Sequence, residues 1–289
     1  MNDAVVPAGL PARVGVLGGG RMGAGIAHAF LVKGADVVVV ERDEASAQAG
    51  RERVEASAAK SIERDPQGGS LDGMVSRLSV SVDYAAFGDR ELVVEAVPED
   101  WALKVAALRR VEDHIAPGTV LASNTSSLSV SGLAEELARP QDFIGLHFFN
   151  PVPASTLVEV VIGKQTRPEL VEQARTWVQG LGKTAVVVND APGFASSRLG
   201  VAIALEAMRM VEEGVASAED IDNAMVLGYK HPTGPLRTTD IVGLDVRLGI
   251  ATYLQETLGE RFAPPQILRD KVARGELGRK TGKGFFDWS

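Results

Sequence analysis

Residues 13–40 read RVGVLGGGRMGAGIAHAFLVKGADVVVV, and this stretch decides the fold. RVGVL (13–17) is short, apolar and β-branched. Gly18-Gly19-Gly20-Arg21-Met22-Gly23 follows at once, then AGIAHAFLVKG (24–34), with apolar residues at helical spacing and Gly34 as a stop. DVVVV (36–40) is almost continuously apolar, the pattern of a parallel strand covered on both faces. The order is strand, glycine turn, helix, strand.

Gly18, Gly20 and Gly23 make G-x-G-x-x-G inside that unit. Glycines are common in turns, but a strand before and a helix after give each one a task. The first permits the tight turn, the second lets backbone approach a pyrophosphate, and the third lets helix and strand pack closely. The helix start offers free N–H groups to phosphate charge. Glu41 ends the second strand, where a carboxylate accepts hydrogen bonds from both ribose hydroxyls and repels a 2′-phosphate. The combination favours NAD as cofactor over NADP, with Arg42 as a neighbour able to soften the preference. The bland alternative, a turn followed by an exposed glutamate, accounts for each feature singly but not for their order.

The alternation continues outward. Strands are expected at 92–97 (LVVEAV), 119–122, 143–147, 157–162 and 184–188, and helices at 101–115, 128–137 and 168–181. Strands alternating with helices imply an α/β fold with a parallel, doubly wound sheet of the Rossmann type. The character changes after Asn189-Asp190-Ala191-Pro192-Gly193. Beyond it the patterns are helical, at 196–213, 217–227, 239–258 and 265–274, and the SAED segment at 217–220 reads as a cap with acids in the first turn. Two domains are expected: 1–190, binding a dinucleotide, and 191–289, smaller and all-helical.

Composition narrows the function. A chain of 289 residues with 45% hydrophobic and 24% charged residues suits two soluble globular domains. The net charge of −8 shows no basic excess for nucleic acid or anionic lipid. The absence of cysteine rules out disulfides, thiolate metal sites and a cysteine nucleophile. No apolar run is long enough to span a bilayer and no leader pattern is read, so a cytoplasmic protein is expected. His28, His114 and His231 have no partners at ligand spacing, and no metal site is expected.

Three later segments carry chemistry: SNTSS (123–127), HFFNP (147–151) and VEVV (158–161). Each lies at or just past the end of an expected strand, where ligands of open α/β sheets bind. His147 is the natural acid/base, because its ordinary pKa lies close to working pH. Glu159 is suited to hold its tautomer and stabilise imidazolium. Ser126 is suited to hydrogen-bond an oxygen that alternates between hydroxyl and carbonyl. Taken singly, His147 reads as a satisfied buried histidine, Glu159 as an edge or solvent-facing residue among valines, and the serines as a loop.

These segments together resemble the 3-hydroxyacyl-CoA dehydrogenase family. The similarity runs from VGVLGGG (14–20) to GRKTGKGFF (278–286), through SNTSSL, GLHFFNPVP, LVEVV, DAPGF, EDID with AM and LG, and GPL followed by VGLD. The resemblance implies NAD-dependent oxidation of an (S)-3-hydroxyacyl-CoA to the 3-oxoacyl-CoA. It implies His147 as base, Glu159 as its orienting partner, Ser126 as a substrate-binding group and Asn150 beside the substrate. Met22, Glu99, Lys104 and Asn124 join the three glycines and Glu41 on the cofactor side. The helical domain is implied to cover the acyl chain and to form most of a homodimer interface. Many members carry Asn before the Arg that follows Pro-Gly-Phe, where this chain has Ser197; a serine hydroxyl is shorter but still donates. Ser57, Lys60 and Arg64, together with Arg53, share one helical face, and the resemblance makes Ser57 and Arg64 contacts of the CoA thioester. On pattern alone that face is as readily a solvated helix surface.

Two rivals remain on sequence. An L-gulonate-type sugar-acid dehydrogenase shares the Ser/His/Glu logic, and HFFNPVP with the basic face argues against it. A catalytically silent, crystallin-like dimer is disfavoured by the presence of Ser126, His147 and Glu159.

Overall fold

The computed structural model describes residues 6–65 and 69–288. The chain divides into two compact units, Met1–Asp190 and Ala191–Ser289.

In the first unit the opening stretch becomes β1 (Arg13–Leu17), α1 (Arg21–Val32) and β2 (Asp36–Val40). α2 (Glu44–Arg64) starts at Asp43, whose carboxylate accepts from the Ser46 N–H and so satisfies one orphan donor of the first turn. α3 (Leu71–Val75) leads into β3 (Leu78–Ser81), a short edge strand that the sequence reading passes over. β4 (Leu92–Glu95), α4 (Trp101–Glu112), β5 (Val120–Ser123), α5 (Val130–Glu135) and β6 (Phe143–Phe148) continue the alternation. β7 (Leu157–Ile162), α6 (Pro168–Gly180) and β8 (Thr184–Asn189) complete it.

The sheet order is β3-β2-β1-β4-β5-β6-β7-β8. The chain leaves β1 towards β2 and β3 on one side and resumes at β4 on the other. That reversal opens a crevice beyond the carboxyl ends of β1 and β4. Valines of β1, β2 and β4 are sealed between the helical layers, which explains the unbroken apolar runs.

The expectation of a parallel sheet throughout fails at one place. β7 runs antiparallel to β6, with His147 opposite Glu159 in register. Only residues 149–156 join the two strands, and a parallel return needs about a dozen residues or more, so β7 folds straight back. β8 then lies parallel to β7 across α6.

The second unit holds α7 (Ser196–Glu212), α8 (Ala218–Asn223), α9 (Pro235–Val242), α10 (Leu244–Leu258) and α11 (Gln266–Ala273). The single helix expected at 239–258 is broken. Gly243 sits at φ 108°, a conformation closed to other residues without strain, and α10 starts afresh there. The GRKTGKGFF segment also finds its reason. Asp240, fully buried, accepts from the N–H groups of Phe285 and Phe286 at 2.9 Å and from the Trp288 indole at 2.8 Å. A Cβ on Gly284 would lie 2.2 Å from Asp240 Oδ1, so only glycine lets the end of the chain close over that carboxylate.

Candidate active site

The glycine turn builds a cleft at the switch point. Gly18 takes φ +93°, and a Cβ on Gly23 would lie 1.7 Å from the Gly18 carbonyl oxygen. A Cβ on Gly20 would meet nothing within 4 Å. The third glycine thus serves packing, while the second faces open space. Glu41 Oε1 accepts from the Gly19 N–H at 2.6 Å, which fixes the carboxylate over the turn. The cleft measures about 860 Å³ and is lined by Gly18, Gly20, Met22, Glu41, Arg42 and Val97, among others. No side chain caps the N-terminus of α1. Open space over an uncapped helix start, beside a fixed carboxylate, fits a dinucleotide's pyrophosphate and ribose.

The wall beyond β4 holds a polar network. Glu95 is wholly buried in an otherwise apolar strand. Its Oε1 accepts from Lys104 Nζ and from the Val97 N–H, both at 2.7 Å, and its Oε2 accepts from Ser123 Oγ at 2.6 Å. Lys104 also donates to the Val97 carbonyl at 3.1 Å and lies 3.3 Å from Glu99 Oε2. Lys104 Nζ thus donates two hydrogen bonds and pairs in charge with Glu99, from a side chain that is 1% exposed. The ammonium is thereby tied to the wall beyond β4. Glu99 Oε1 gathers Thr125 Oγ1 at 2.7 Å, the Ser126 N–H at 2.8 Å, Ser126 Oγ at 3.3 Å and the Ser127 N–H at 3.0 Å. Burial pushes the Glu99 pKa up, but Lys104 and these donors outweigh it and hold the carboxyl below its ordinary range.

The antiparallel turn between β6 and β7 brings His147 and Glu159 together. His147 Nδ1 lies 2.8 Å from Glu159 Oε2, and both residues are buried. Glu159 is thus neither an edge nor a solvent-facing residue. The valines around it fill the sheet faces while its register opposite His147 supplies a polar partner. With Nδ1 against the carboxylate, the ring turns its Nε2 edge the other way, and Phe149 packs on it with centroids 4.4 Å apart. Asn124, on the loop after β5, directs its Oδ1 to the Phe148 N–H at 2.8 Å and so pins the end of β6 beside His147.

A second cleft, of about 480 Å³, brings together Arg53, Ser57, Lys60 and Arg64 on α2 with Asn150 on the loop after β6. The helical face inferred from spacing therefore lines a concavity. Arg53 also donates to the Gly19 carbonyl at 3.1 Å, tying this face to the glycine turn. Ser197 lies in the second unit, in the first turn of α7. Among the described residues no His/Cys/Asp/Glu cluster could hold a metal ion.

Comparison with known proteins then decides the family. Residues 13–191 match the model of the 3-hydroxyacyl-CoA dehydrogenase NAD binding domain, and residues 193–288 that of its C-terminal domain. The chain belongs to the 3-hydroxyacyl-CoA dehydrogenase family. As a member it is an oxidoreductase whose cofactor is NAD. It is 40% identical to a 3-hydroxybutyryl-CoA dehydrogenase of Mycobacterium tuberculosis, over 100% of both chains. It is 39% identical to a probable 3-hydroxybutyryl-CoA dehydrogenase of Deinococcus radiodurans, over 96% of this chain and 100% of that one. Among solved structures, (S)-3-hydroxybutyryl-CoA dehydrogenase from Ralstonia eutropha superposes with a TM-score of 0.92 at 36% identity, covering 96% of this chain and 99% of that one.

Two residues of this dehydrogenase site escape sequence reading. Glu95 carries a readable signal, a carboxylate inside a strand whose pattern leaves no face for solvent. Ser123 carries none, because a serine at a strand end is ordinary until Glu95 is found beside it.

Proposed function

We infer that the chain catalyses the reversible NAD-dependent oxidation of (S)-3-hydroxyacyl-CoA to 3-oxoacyl-CoA. The observation that carries this reading is the buried 2.8 Å pair of His147 and Glu159, set on strand ends behind a dinucleotide cleft. NAD held in that cleft would supply the acceptor for the hydride that leaves the substrate's third carbon. His147 Nε2 takes the hydroxyl proton, Glu159 holds the ring and stabilises the imidazolium, and Ser126 steadies the substrate oxygen. Gly18, Gly20, Met22 and Glu41 bind the dinucleotide. Glu99, Lys104 and Asn124 act through the wall: Lys104 fixes Glu99, Glu99 sets the Ser126 loop, and Asn124 sets the strand end that carries His147. Ser57, Lys60 and Arg64 hold the CoA phosphates, with Asn150 beside the thioester and Ser197 as a further donor to the acyl part.

The reaction takes place in the cytosol, in a homodimer formed through the second unit. Exposed Leu199, Leu227 and Tyr229 support a buried face there, and among the described residues no helix is long and apolar enough to cross a membrane. The test is loss of nicotinamide absorbance with acetoacetyl-CoA, run in parallel with NADH and NADPH. Rapid loss with NADH is the expected result. Inertness with both cofactors would return the sugar-acid reading.

A further inference from the structure

The two clefts of the first unit share a wall. The cofactor cleft holds Gly18, Gly20 and Met22, the cleft along α2 holds Ala24, Gly25 and Ser57, and the start of α1 stands between them. Among the described residues two line both clefts, Arg21 and Arg53. Arg21 is the first residue of α1, and Arg53 lies on α2. α2 packs so closely on the glycine turn that a Cβ on Gly19 would lie 3.0 Å from the Gly50 Cα. Arg53 follows Gly50 by three residues and so shares its face of the helix. Its Nη1 donates to the Gly19 carbonyl at 3.1 Å.

Arg21 works against its own helix. A helix start carries partial positive charge and favours an acid, yet α1 places a cation there and has no acidic residue in its first turn. Other arginines nearby have carboxylates: Arg42 lies 2.9 Å from Asp43, and Arg51 lies 3.4 Å from Glu55. Among the described residues Arg21 and Arg53 form no ion pair. Two uncompensated cations therefore stand on the wall between two clefts, each of which takes a phosphate-bearing ligand. With both ligands bound, like charges face each other across that wall and repel. Positive charge on the wall offsets the repulsion.

We propose that Arg21 and Arg53 couple the two ligands: their guanidinium groups screen the pyrophosphate of the dinucleotide from the phosphates of the CoA thioester, so that both are held at once. This rests on the dehydrogenase reading above, with NAD and CoA in these two clefts. Arg53 also positions the turn, because its hold on the Gly19 carbonyl ties α2 to the glycines that meet the pyrophosphate. Such coupling is reciprocal: the factor that CoA imposes on NADH affinity is the factor that NADH imposes on CoA affinity.

The experiment titrates NADH into the full chain with and without saturating coenzyme A, and coenzyme A with and without saturating NADH, by calorimetry. The quantity read is the Kd of one ligand alone divided by its Kd beside the other. In the double variant Arg21→Gln/Arg53→Gln that ratio should fall by about 5-fold or more, and by the same factor from either ligand's side. The double variant Arg21→Lys/Arg53→Lys keeps both charges and should hold the native ratio. A ratio equal in the native chain and the glutamine variant would overturn the proposal even where each ligand alone binds more weakly, since the arginines would then be separate contacts. So would a lysine variant that behaves like the glutamine one, because charge would not be the cause. A native chain that binds NADH but no coenzyme A refutes the CoA reading and the coupling with it. Coenzyme A binding with unaltered coupling leaves that reading standing and overturns the coupling alone.

Discussion

Lys104 Nζ lies 2.7 Å from Glu95 Oε1 in a pair whose side chains are 1% and 0% exposed. Both charges are out of water, and each is satisfied by further hydrogen bonds, so the pair is stable only while complete. Lys104→Met strands a buried carboxylate and should destabilise the protein by about 3–5 kcal/mol, read from denaturant unfolding. The double variant Glu95→Gln/Lys104→Met should recover part of that loss, because no uncompensated charge remains. Additive losses would contradict this account of the pair.

The contact between His147 and Glu159 yields a kinetic expectation. His147→Gln removes the base and should lower kcat by about 10²- to 10⁴-fold. Glu159→Gln keeps the shape but loses the charge that stabilises imidazolium, and a loss of comparable order is expected. NADH binding, followed by fluorescence titration, should change little in either variant. Near-normal turnover in His147→Gln would remove His147 from the mechanism.

Gly20 and Gly23 separate cofactor binding from folding. A Cβ on Gly23 would collide with the Gly18 carbonyl, so Gly23→Ala should lower Tm and weaken NADH binding together. A Cβ on Gly20 meets no protein atom, so Gly20→Ala should keep Tm and still raise the NADH Kd. Unimpaired NADH binding in Gly20→Ala would show that the pyrophosphate lies elsewhere.

His28 gives the stability a pH dependence. Its Nε2 lies 2.8 Å from Ser61 Oγ, while its Nδ1 is buried without a partner. Burial first, then Lys183, holds its pKa below the ordinary histidine value. The unfolded chain therefore takes up a proton at a pH where the folded protein resists one. Stability should fall as pH drops below about 6.5, and the fall should end only below the folded-state pKa. His28→Gln cannot titrate there. Between about pH 8 and pH 5.5 the native protein should lose more Tm than the variant does. Parallel Tm curves would mean that His28 is not the group responsible.

Sequence by itself determined the doubly wound unit and the dinucleotide turn, and singled out His147, Glu159 and Ser126 as candidates. Their signals are local: the period of apolar residues, glycines at fixed offsets, and polar groups at strand ends. The basic face of α2 was equally legible, because helical spacing alone puts Arg53, Ser57, Lys60 and Arg64 together. Tertiary structure decided what depends on partners distant in the chain. Glu159 reads as an edge residue until β7 folds back antiparallel and sets it opposite His147. Lys104 is tied to Glu95, Val97 and Glu99, partners that no local pattern assigns to it. Asn124 proves to be a pin on Phe148, and Gly243 breaks a helix that periodicity ran through. In each case the deciding interaction is a hydrogen bond, a charge or a backbone angle fixed by the packing of separate elements, and no local pattern of side chains encodes it.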